Sequence, residues 1–409
     1  MKLLWLTLAD PDPPTNGQFI YSRGLIHAAA AAGATVEVVG LDRPEACHRD
    51  GRRADGLVWL LAEHRPRALW RGLATPLPFM AFRVMTRQMQ GLVRAALDRA
   101  AWDAVVFDSL AAGWALPAVL RRRPRPGVAP PRLVYIAHNH EAQVAQHGVA
   151  DETRPLRRLV KRIDARRVAR LERALVATAD LVTSNSPEDR GKFQAARPTR
   201  TVLFLPPGYD GARCAARRIT PATPRRALIV GSFDWSAKRQ SLEAFLAIAD
   251  PQFAAAGIEL LVVGNAEPGY LDRLRKTVRA TRFTGRVDDV APYFSQARLA
   301  LVPDRLGGFK LKTLDYVFHR LPILAIDGAV PGLPLHPGES IFLAPDHDAL
   351  ARDVLALIDD FARLNGAQGL AYHACQDCFD WSAVGTRLLR AIDDASGAAR
   401  VVTVRRGAR

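Results

Sequence analysis

LALVPDRLGGFKLKTLDYVFHRLPILAI, residues 299–326, decides the fold. An apolar run, Leu299–Val302, leads into a turn ending in Gly307-Gly308; a helical pattern follows to His319, and Pro322 opens a second apolar run. The pattern predicts strand, glycine loop, helix, strand. Paired glycines let backbone N–H groups approach a ligand closely, and the positive end of the helix dipole then faces that ligand, so the segment predicts an anion site. Gly308, Lys312, Asp315 and His319 recur at helical spacing. On that phase a cation and a carboxylate share the face that begins at the glycines, while Lys310 points elsewhere. Phosphate at the helix start and a pair of sugar hydroxyls further along suit such a face.

The same alternation extends in both directions. Residues 2–9, KLLWLTLA, form a first strand, and strand patterns recur at 34–40, 57–61, 104–107, 132–137, 180–185 and 201–205 with helices between. That is the signature of a parallel sheet covered on both faces. After the low-pattern stretch 211–226 a second alternation begins at Ala227, with strands at 258–265, 282–287 and 340–344. At 409 residues the chain is too long for one ordinary core. The domains expected are 1–210, a linker at 211–226, a second α/β domain at 227–379, a terminal helix at 380–396 and a basic tail at 397–409.

Ligands of open α/β sheets bind beyond the carboxyl ends of strands, which singles out several loops. DPDPPTNGQF follows the first strand, so Asn16 and Gly17 either meet a phosphate or simply make a turn. RLVYIAHNHE ends a strand in a polar cluster, which puts His138, Asn139 and Glu141 where side chains reach a cleft. A loop histidine satisfied by hydrogen bonds is the plain alternative for His138. Lys238 and Arg239 open the helix after the strand ALIV, and cations there offset charge building on a departing diphosphate without a metal. Asp10-x-Asp12 sits among three prolines and reads as a turn; Asp346-x-Asp348 reads as a helix N-cap.

GGFKLKTLDYVFHRLPIL resembles the donor-binding segment of GT-B glycosyltransferases of retaining family 4, written GGxRxKxLEAxAxGxPVV. In that family the segment overlaps an E-x7-E motif whose second glutamate binds the nucleotide's ribose and whose first contacts the donor sugar. Here Asp315 stands at the second position and Gly307 at the first. The resemblance implies an α/β GT-B fold, two Rossmann-like domains facing each other across a cleft. It also implies transfer with retention, no metal and no cofactor, a nucleotide-diphosphate sugar being the substrate. The strand-then-HNxE stretch resembles the family segment whose histidine, here His138, approaches the donor sugar. The loop at Gly231 with Lys238 and Arg239 resembles the phosphate-holding loop of the donor domain, and RFTGRV, with Gly285, the turn bordering the nucleobase. PPGYDG at 206–211 resembles the turn closing the first domain, and FDWSAVGTRLLRAID the helix that crosses back to it. The catalytic residues implied are His138 and Lys312, with Gly231, Lys238, Arg239, Gly285, Gly307, Gly308, Lys312 and Asp315 on the donor. The missing first glutamate keeps a non-catalytic partner of another transferase open as an alternative, and a sugar-nucleotide epimerase is a third reading.

Four cysteines, Cys47, Cys214, Cys375 and Cys378, are too scattered for a disulfide framework, and Cys375-x-x-Cys378 has no second pair to complete a zinc site. No uncharged apolar run is long enough to span a bilayer, and the N-terminus reads as a strand rather than a signal peptide, so a cytoplasmic protein is expected. The net charge is +16, and residues 121–173 alone carry fourteen basic against five acidic side chains. Within that region Leu156, Leu159, Val160, Ile163, Val168, Leu171 and Leu175 make an apolar stripe on a basic helix, 154–175. The helix covers the sheet with that stripe and, on the sharper reading, turns its charge to an anionic membrane surface. WRGLATPLPFMAFRVMTRQM, 70–89, reads as a core helix after a loop or as an apolar surface for a lipid-linked acceptor. No nucleic-acid module accompanies the charge, which excludes nucleic acid as the expected partner.

Overall fold

A computed structural model gives the architecture; it describes residues 1–45, 53–54, 56–64, 67, 69–122, 127, 129–233, 236–267, 269–305 and 307–395. The strands in chain order are β1 (Lys2–Ala9), β2 (Thr35–Leu41), β3 (Arg53–Ala54), β4 (Leu57–Ala62), β5 (Ala104–Asp108), β6 (Arg132–Ala137), β7 (Leu181–Ser184) and β8 (Val202–Phe204) in the first domain. The second domain adds β9 (Arg226–Val230), β10 (Glu259–Val263), β11 (Thr281–Gly285), β12 (Leu299–Val302), β13 (Ile323–Ile326) and β14 (Phe342–Ala344).

The first sheet runs β3-β4-β2-β1-β5-β6-β7-β8, parallel except for the β3–β4 pair, and the second runs β11-β10-β9-β12-β13-β14, parallel throughout. Both are doubly wound. Leu3, Leu4, Trp5 and Leu6 are all buried, so β1 is covered on both faces, and the first domain's core divides into two clusters, one on each side of the sheet. The second domain has one continuous core, with Phe245, Phe253, Tyr316 and Phe318 at its centre.

Strand order reverses direction between β1 and β5 in the first sheet and between β9 and β12 in the second. At such a switch point the two loops leaving the strand ends part to opposite faces and leave a crevice, which is where ligands of open α/β sheets sit. The crevices of this chain therefore lie beyond Ala9 and Asp108, and beyond Val230 and Val302.

The chain crosses back at its end. The helix Trp381–Asp394, N-capped by Asp380, lies on the helix Gly17–Ala31 of the first domain. The approach is close enough to require glycine: a Cβ on Gly24 would stand 2.0 Å from Trp381, and one on Gly385 2.2 Å from the Ala28 carbonyl oxygen. The tail 397–409, residues 123–126 and Cys47 lie outside the described residues.

The basic helix is longer than its sequence pattern, Pro155–Thr178, and it departs from the expected burial. Val168, Leu175 and Val176 pack into the core, with Leu171 against it, but Leu156, Leu159, Val160 and Ile163 are exposed, Leu156 by 79% and Leu159 by 53%. The stripe is buried only in its second half. The stretch 70–89 likewise divides: Ala81, Phe82, Val84 and Met89 are core, whereas Trp70 and Leu73 face solvent. The two exposed patches are joined by hydrogen bonds, Phe79 N–H to Asp164 Oδ1 at 2.8 Å and Arg167 to the carbonyls of Gly72 and Leu73 at 2.9 and 2.6 Å. No helix among the described residues is long and apolar enough to cross a membrane.

Candidate active site between the two domains

At the first switch point β6 delivers His138 and β5 delivers Asp108. His138 Nε2 lies 2.6 Å from Asp108 Oδ1, and both residues are buried. Burial opposes charge on the Asp108 carboxyl, but the His138 charge and hydrogen bonds from His138, Trp5 and Ser22 outweigh it and hold the group below the usual carboxylate range. Trp5 Nε1 donates to Asp108 Oδ2 at 3.0 Å, and the Tyr21 ring meets the imidazole edge-on at 5.2 Å between centroids. The imidazole is thus fixed in place by a buried carboxylate from one side and an aromatic edge from the other.

Asn16 caps the helix Gly17–Ala31, its side chain accepting from Phe19 N–H at 3.0 Å. Gly17 faces the second domain, for a Cβ there would be 3.5 Å from Leu311. Asp10 and Asp12 make a turn, with Asp12 N–H donating to Asp10 Oδ1 at 3.0 Å and Asp12 paired with Arg23 at 3.3 Å. Asn139 donates to Glu141 Oε1 at 3.1 Å. Burial raises the Glu141 carboxyl, partly eased by that bond. Beneath it Glu172 accepts from the Glu141 and Ala142 amides at 2.7 and 3.0 Å; burial is the main cause of its rise to about 7, with the Glu141 and Asp189 charges adding to it.

At the second switch point the helix of residues 299–326 starts later than its sequence predicts. It spans Lys312–Phe318, with His319 as its C-cap, and Gly308 to Leu311 lead into it through a bend and a turn outside the helix. Gly307 takes φ +101°, a left-handed conformation, and turns the chain toward the first domain. This shift corrects the reading of Lys310. Its ammonium does not point elsewhere: it lies 3.3 Å from Asp304 Oδ2, and Lys312 Nζ lies 3.4 Å from Asp304 Oδ1. Because Lys310 precedes the helix, the helical phase that would separate it from Lys312 does not apply.

Asp304 follows β12 at the switch point and is itself buried. Burial works against its ionisation, yet the charges of Lys312, Lys310 and Lys238 prevail and keep its carboxyl below the usual range. Burial, and after it the charges of Lys312 and Lys238, lower Lys310 to about 8 even with Asp304 opposing them. A Cβ on Gly231 would stand 3.9 Å from Lys312 Nζ, so the loop after β9 and the lysine cluster border one space. Arg239 turns away from that cluster to Glu267, at 3.4 Å, and to the Tyr270 ring. Gly285 ends β11 at φ +76° and its carbonyl accepts from Gly264 N–H at 3.0 Å. Asp315 accepts from the Tyr209 hydroxyl at 3.0 Å, and burial lifts its carboxyl to about 6 although that bond and His319 pull it down. Tyr209 belongs to PPGYDG and stacks on Phe318 with centroids 4.6 Å apart.

The two domains meet across these loops. Gly308 N–H donates to Asn139 Oδ1 at 2.9 Å, and Phe309 N–H points to Asn185 Oδ1 at 3.5 Å. Between them lies a cleft of about 500 Å³ lined from the first domain by Asn139, His140, Gln143 and Lys192 and from the second by Arg305 and Gly308. Its walls mix polar and apolar surface in similar amounts, and polyhydroxyl ligands suit them. No cluster of three or more metal-ligating side chains occurs among the described residues.

Asp304, Lys310, Asp108 and Tyr209 complete the site and were not read as functional from the sequence. A signal existed for two of them. Asp108 and Asp304 each stand at the carboxyl end of a strand, in FDS and VPD, but only the strand order reveals that β5 and β12 flank the switch points.

Residues 224–360 match the family model of the group 1 glycosyl transferases. The second domain is a group 1 glycosyltransferase domain. The chain is accordingly a glycosyltransferase of GT-B fold. Its fold is similar over the full length to sucrose-phosphate synthase from Thermosynechococcus elongatus, with 21% identity, a TM-score of 0.72 and coverage of 97% of this chain and 100% of that one. It is also similar to Anabaena HepE in complex with UDP and glucose, at 17% identity and TM-score 0.60, covering 96% and 100%. WaaG, a glycosyltransferase involved in lipopolysaccharide biosynthesis, is similar at 19% identity and TM-score 0.60, covering 97% and 100%. No curated protein sequence matches the chain.

Proposed function

We propose that the enzyme moves a glycosyl group from a nucleotide-diphosphate sugar, held by the second domain, to a hydroxyl of an acceptor held by the first. The bond from the anomeric carbon to the diphosphate oxygen breaks and one to the acceptor oxygen forms on the same face. The acceptor's proton passes to the departing diphosphate. The reaction uses no metal and no cofactor, since lysine ammoniums at the second switch point offset the charge that builds on the leaving group. Lys238 and Lys312 hold the diphosphate, Gly231 lets it approach, Gly285 borders the base, Asp315 grips the ribose, and His138 orients the sugar. Arg239, which reaches Glu267, supports the loop rather than the phosphates.

The single observation that carries this reading is the facing of the two crevices: a buried histidine and carboxylate on one side, a cluster of three lysines around Asp304 on the other, with Gly308 hydrogen-bonded to Asn139 between them. The acceptor is sugar- or lipid-linked and the setting is assembly of a surface polysaccharide or glycolipid, with the enzyme in the cytoplasm and resting on the inner leaflet through the basic helix. Exposed Leu156, Leu159, Val160 and Ile163, ringed by Arg157, Arg158, Lys161 and Arg162, support that part of the reading.

Thermal shift against a panel of nucleotide sugars tests the donor. A true donor at a hundred times its Kd stabilises the fold by about 2.7 kcal/mol. Slow hydrolysis of that donor by the purified chain, abolished in Lys312→Ala, is the expected result. A panel with no binder, or hydrolysis indifferent to Lys312→Ala, refutes the assignment.

A further inference from the structure

An anion site with a carboxylate buried in its middle calls for a reason. Asp304 sits between Lys310 and Lys312 at 3.3 and 3.4 Å and is close enough to Lys238 to be affected by its charge. A neutral residue there would leave the lysines more attractive to any phosphate. The carboxylate therefore costs affinity, and the cost rises with the charge of the ligand. The two natural occupants differ in charge. In a nucleotide-diphosphate sugar each phosphate is a diester with one negative charge. In the nucleoside diphosphate left after transfer the terminal phosphate ionises a second time near pH 6, so the product carries one charge more at neutral pH.

We infer that Asp304 is a specificity-determining residue, a fixed negative charge at the diphosphate subsite that disfavours the nucleoside diphosphate relative to the intact donor and so speeds product release. The inference rests on the reading of the lysine cluster as the diphosphate subsite. Lys310 is its counterpart. With its side chain 8% exposed, it is buried on Asp304 and adds its positive charge to those of Lys312 and Lys238 around that carboxylate. The ammonium of Lys312, bordering the Gly231 loop, is left to meet the ligand.

One added unit charge several ångströms from Asp304, at an effective dielectric typical of protein sites, makes a difference of about tenfold or more in binding. The test measures Kd by calorimetry at about pH 7.5 and low salt, above the second phosphate ionisation. Three matched pairs serve as probes: UDP with UDP-glucose, GDP with GDP-mannose, and ADP with ADP-glucose. Asp304→Asn keeps the shape and removes the charge. For the pair that the native chain binds, it is expected to tighten the nucleoside diphosphate on the order of tenfold more than the sugar ester. Its turnover should then fall, with a burst of product in the first cycle that native enzyme lacks. Lys310→Met, which removes a positive charge with an apolar side chain of similar length, is expected to shift the same ratio the opposite way. Structural damage would weaken both ligands of a pair in parallel in both variants. Parallel changes, with the ratio kept within twofold, therefore overturn the role of Asp304 and leave the donor reading standing. A native chain that binds no member of any pair refutes the donor reading and the inference with it.

Discussion

Gly308→Ala puts the contact between the domains to a direct test. Gly308 has no left-handed backbone conformation to maintain, so alanine fits its dihedral angles and the effect is one of space alone. An added Cβ would stand 2.8 Å from Asn185 Oδ1, 2.9 Å from the His138 carbonyl oxygen and 3.2 Å from Asn139 Oδ1. Carbon and oxygen settle at about 3.3–3.6 Å, so about half an ångström must be found. The two amide side chains can turn aside. The His138 carbonyl cannot, because it follows directly on β6, whose residues Leu133 to Ala137 are fully buried. The glycine loop must therefore retreat from the first domain and release the bond to Asn139. Overpacking costs about 1–3 kcal/mol and the lost hydrogen bond about 1 kcal/mol, so the closed arrangement weakens by about 2–4 kcal/mol. At 1.4 kcal/mol per factor of ten, transfer should fall by about 30- to 1,000-fold. Binding of nucleoside diphosphate should change little, since the lysine cluster lies wholly within the second domain. The assay is the rate of transfer to acceptor beside calorimetric binding of nucleoside diphosphate, with scattering in solution to follow the separation of the domains. Gly366→Ala, in a helix where a Cβ meets nothing within 4 Å, serves as the control. Transfer by Gly308→Ala within twofold of native would refute the claim that the two crevices work as one site.

Glu172→Gln tests the buried acid cluster. The native carboxyl titrates at about 7, above the ordinary value of 4.5, so between those pH values the folded chain holds a proton that the unfolded chain releases. Its contribution is full below about pH 4.5 and is lost as pH rises through 7, by about 3 kcal/mol. Urea unfolding at pH 5 and pH 8 should therefore give a smaller pH dependence in the variant than in the native chain, and equal slopes would contradict the burial argument. Tyr209→Phe removes the hydroxyl that donates to Asp315, so the Asp315 carboxyl should rise above its present value of about 6. Donor affinity should drop severalfold between pH 6 and 7 and recover at pH 8; a drop of the same size at every pH would mean lost packing instead. Leu156→Ser with Leu159→Ser should abolish binding to vesicles of anionic lipid at low salt without lowering Tm, because both side chains are exposed. Retained binding would move the membrane surface elsewhere.

Much of the fold was legible because it depends on alternation. Strands buried on both faces read as unbroken apolar runs, so LLWLTLA, AVVF, LVYIA and LALV were visible as strands of a covered parallel sheet wherever they stood. The two-residue β3 was not, because so short an edge strand has no period to detect. The apolar stripe of the basic helix was legible as a period and misleading as a burial pattern. Periodicity reports which residues share a face, but whether a partner covers that face depends on the tertiary packing, and Leu156, Leu159, Val160 and Ile163 are left exposed.

The lysine cluster was hidden for a related reason, and it shows how a site's charge turns on the first residue of a helix. If the helix began at Gly308, Lys310 and Lys312 would stand about 200° apart around its axis and Lys310 would be lost to the site. The helix begins at Lys312, and the stretch from Gly308 to Leu311 is spent crossing to the first domain, where Gly308 bonds Asn139 and Leu311 approaches Gly17. That crossing frees Lys310 from helical phase and lets it fold back onto Asp304. The contact that closes the cleft and the arrangement of cations beneath the diphosphate are therefore consequences of the same four residues. A change that lengthens the helix back toward Gly308 should open the domains and strip one ammonium from Asp304 together.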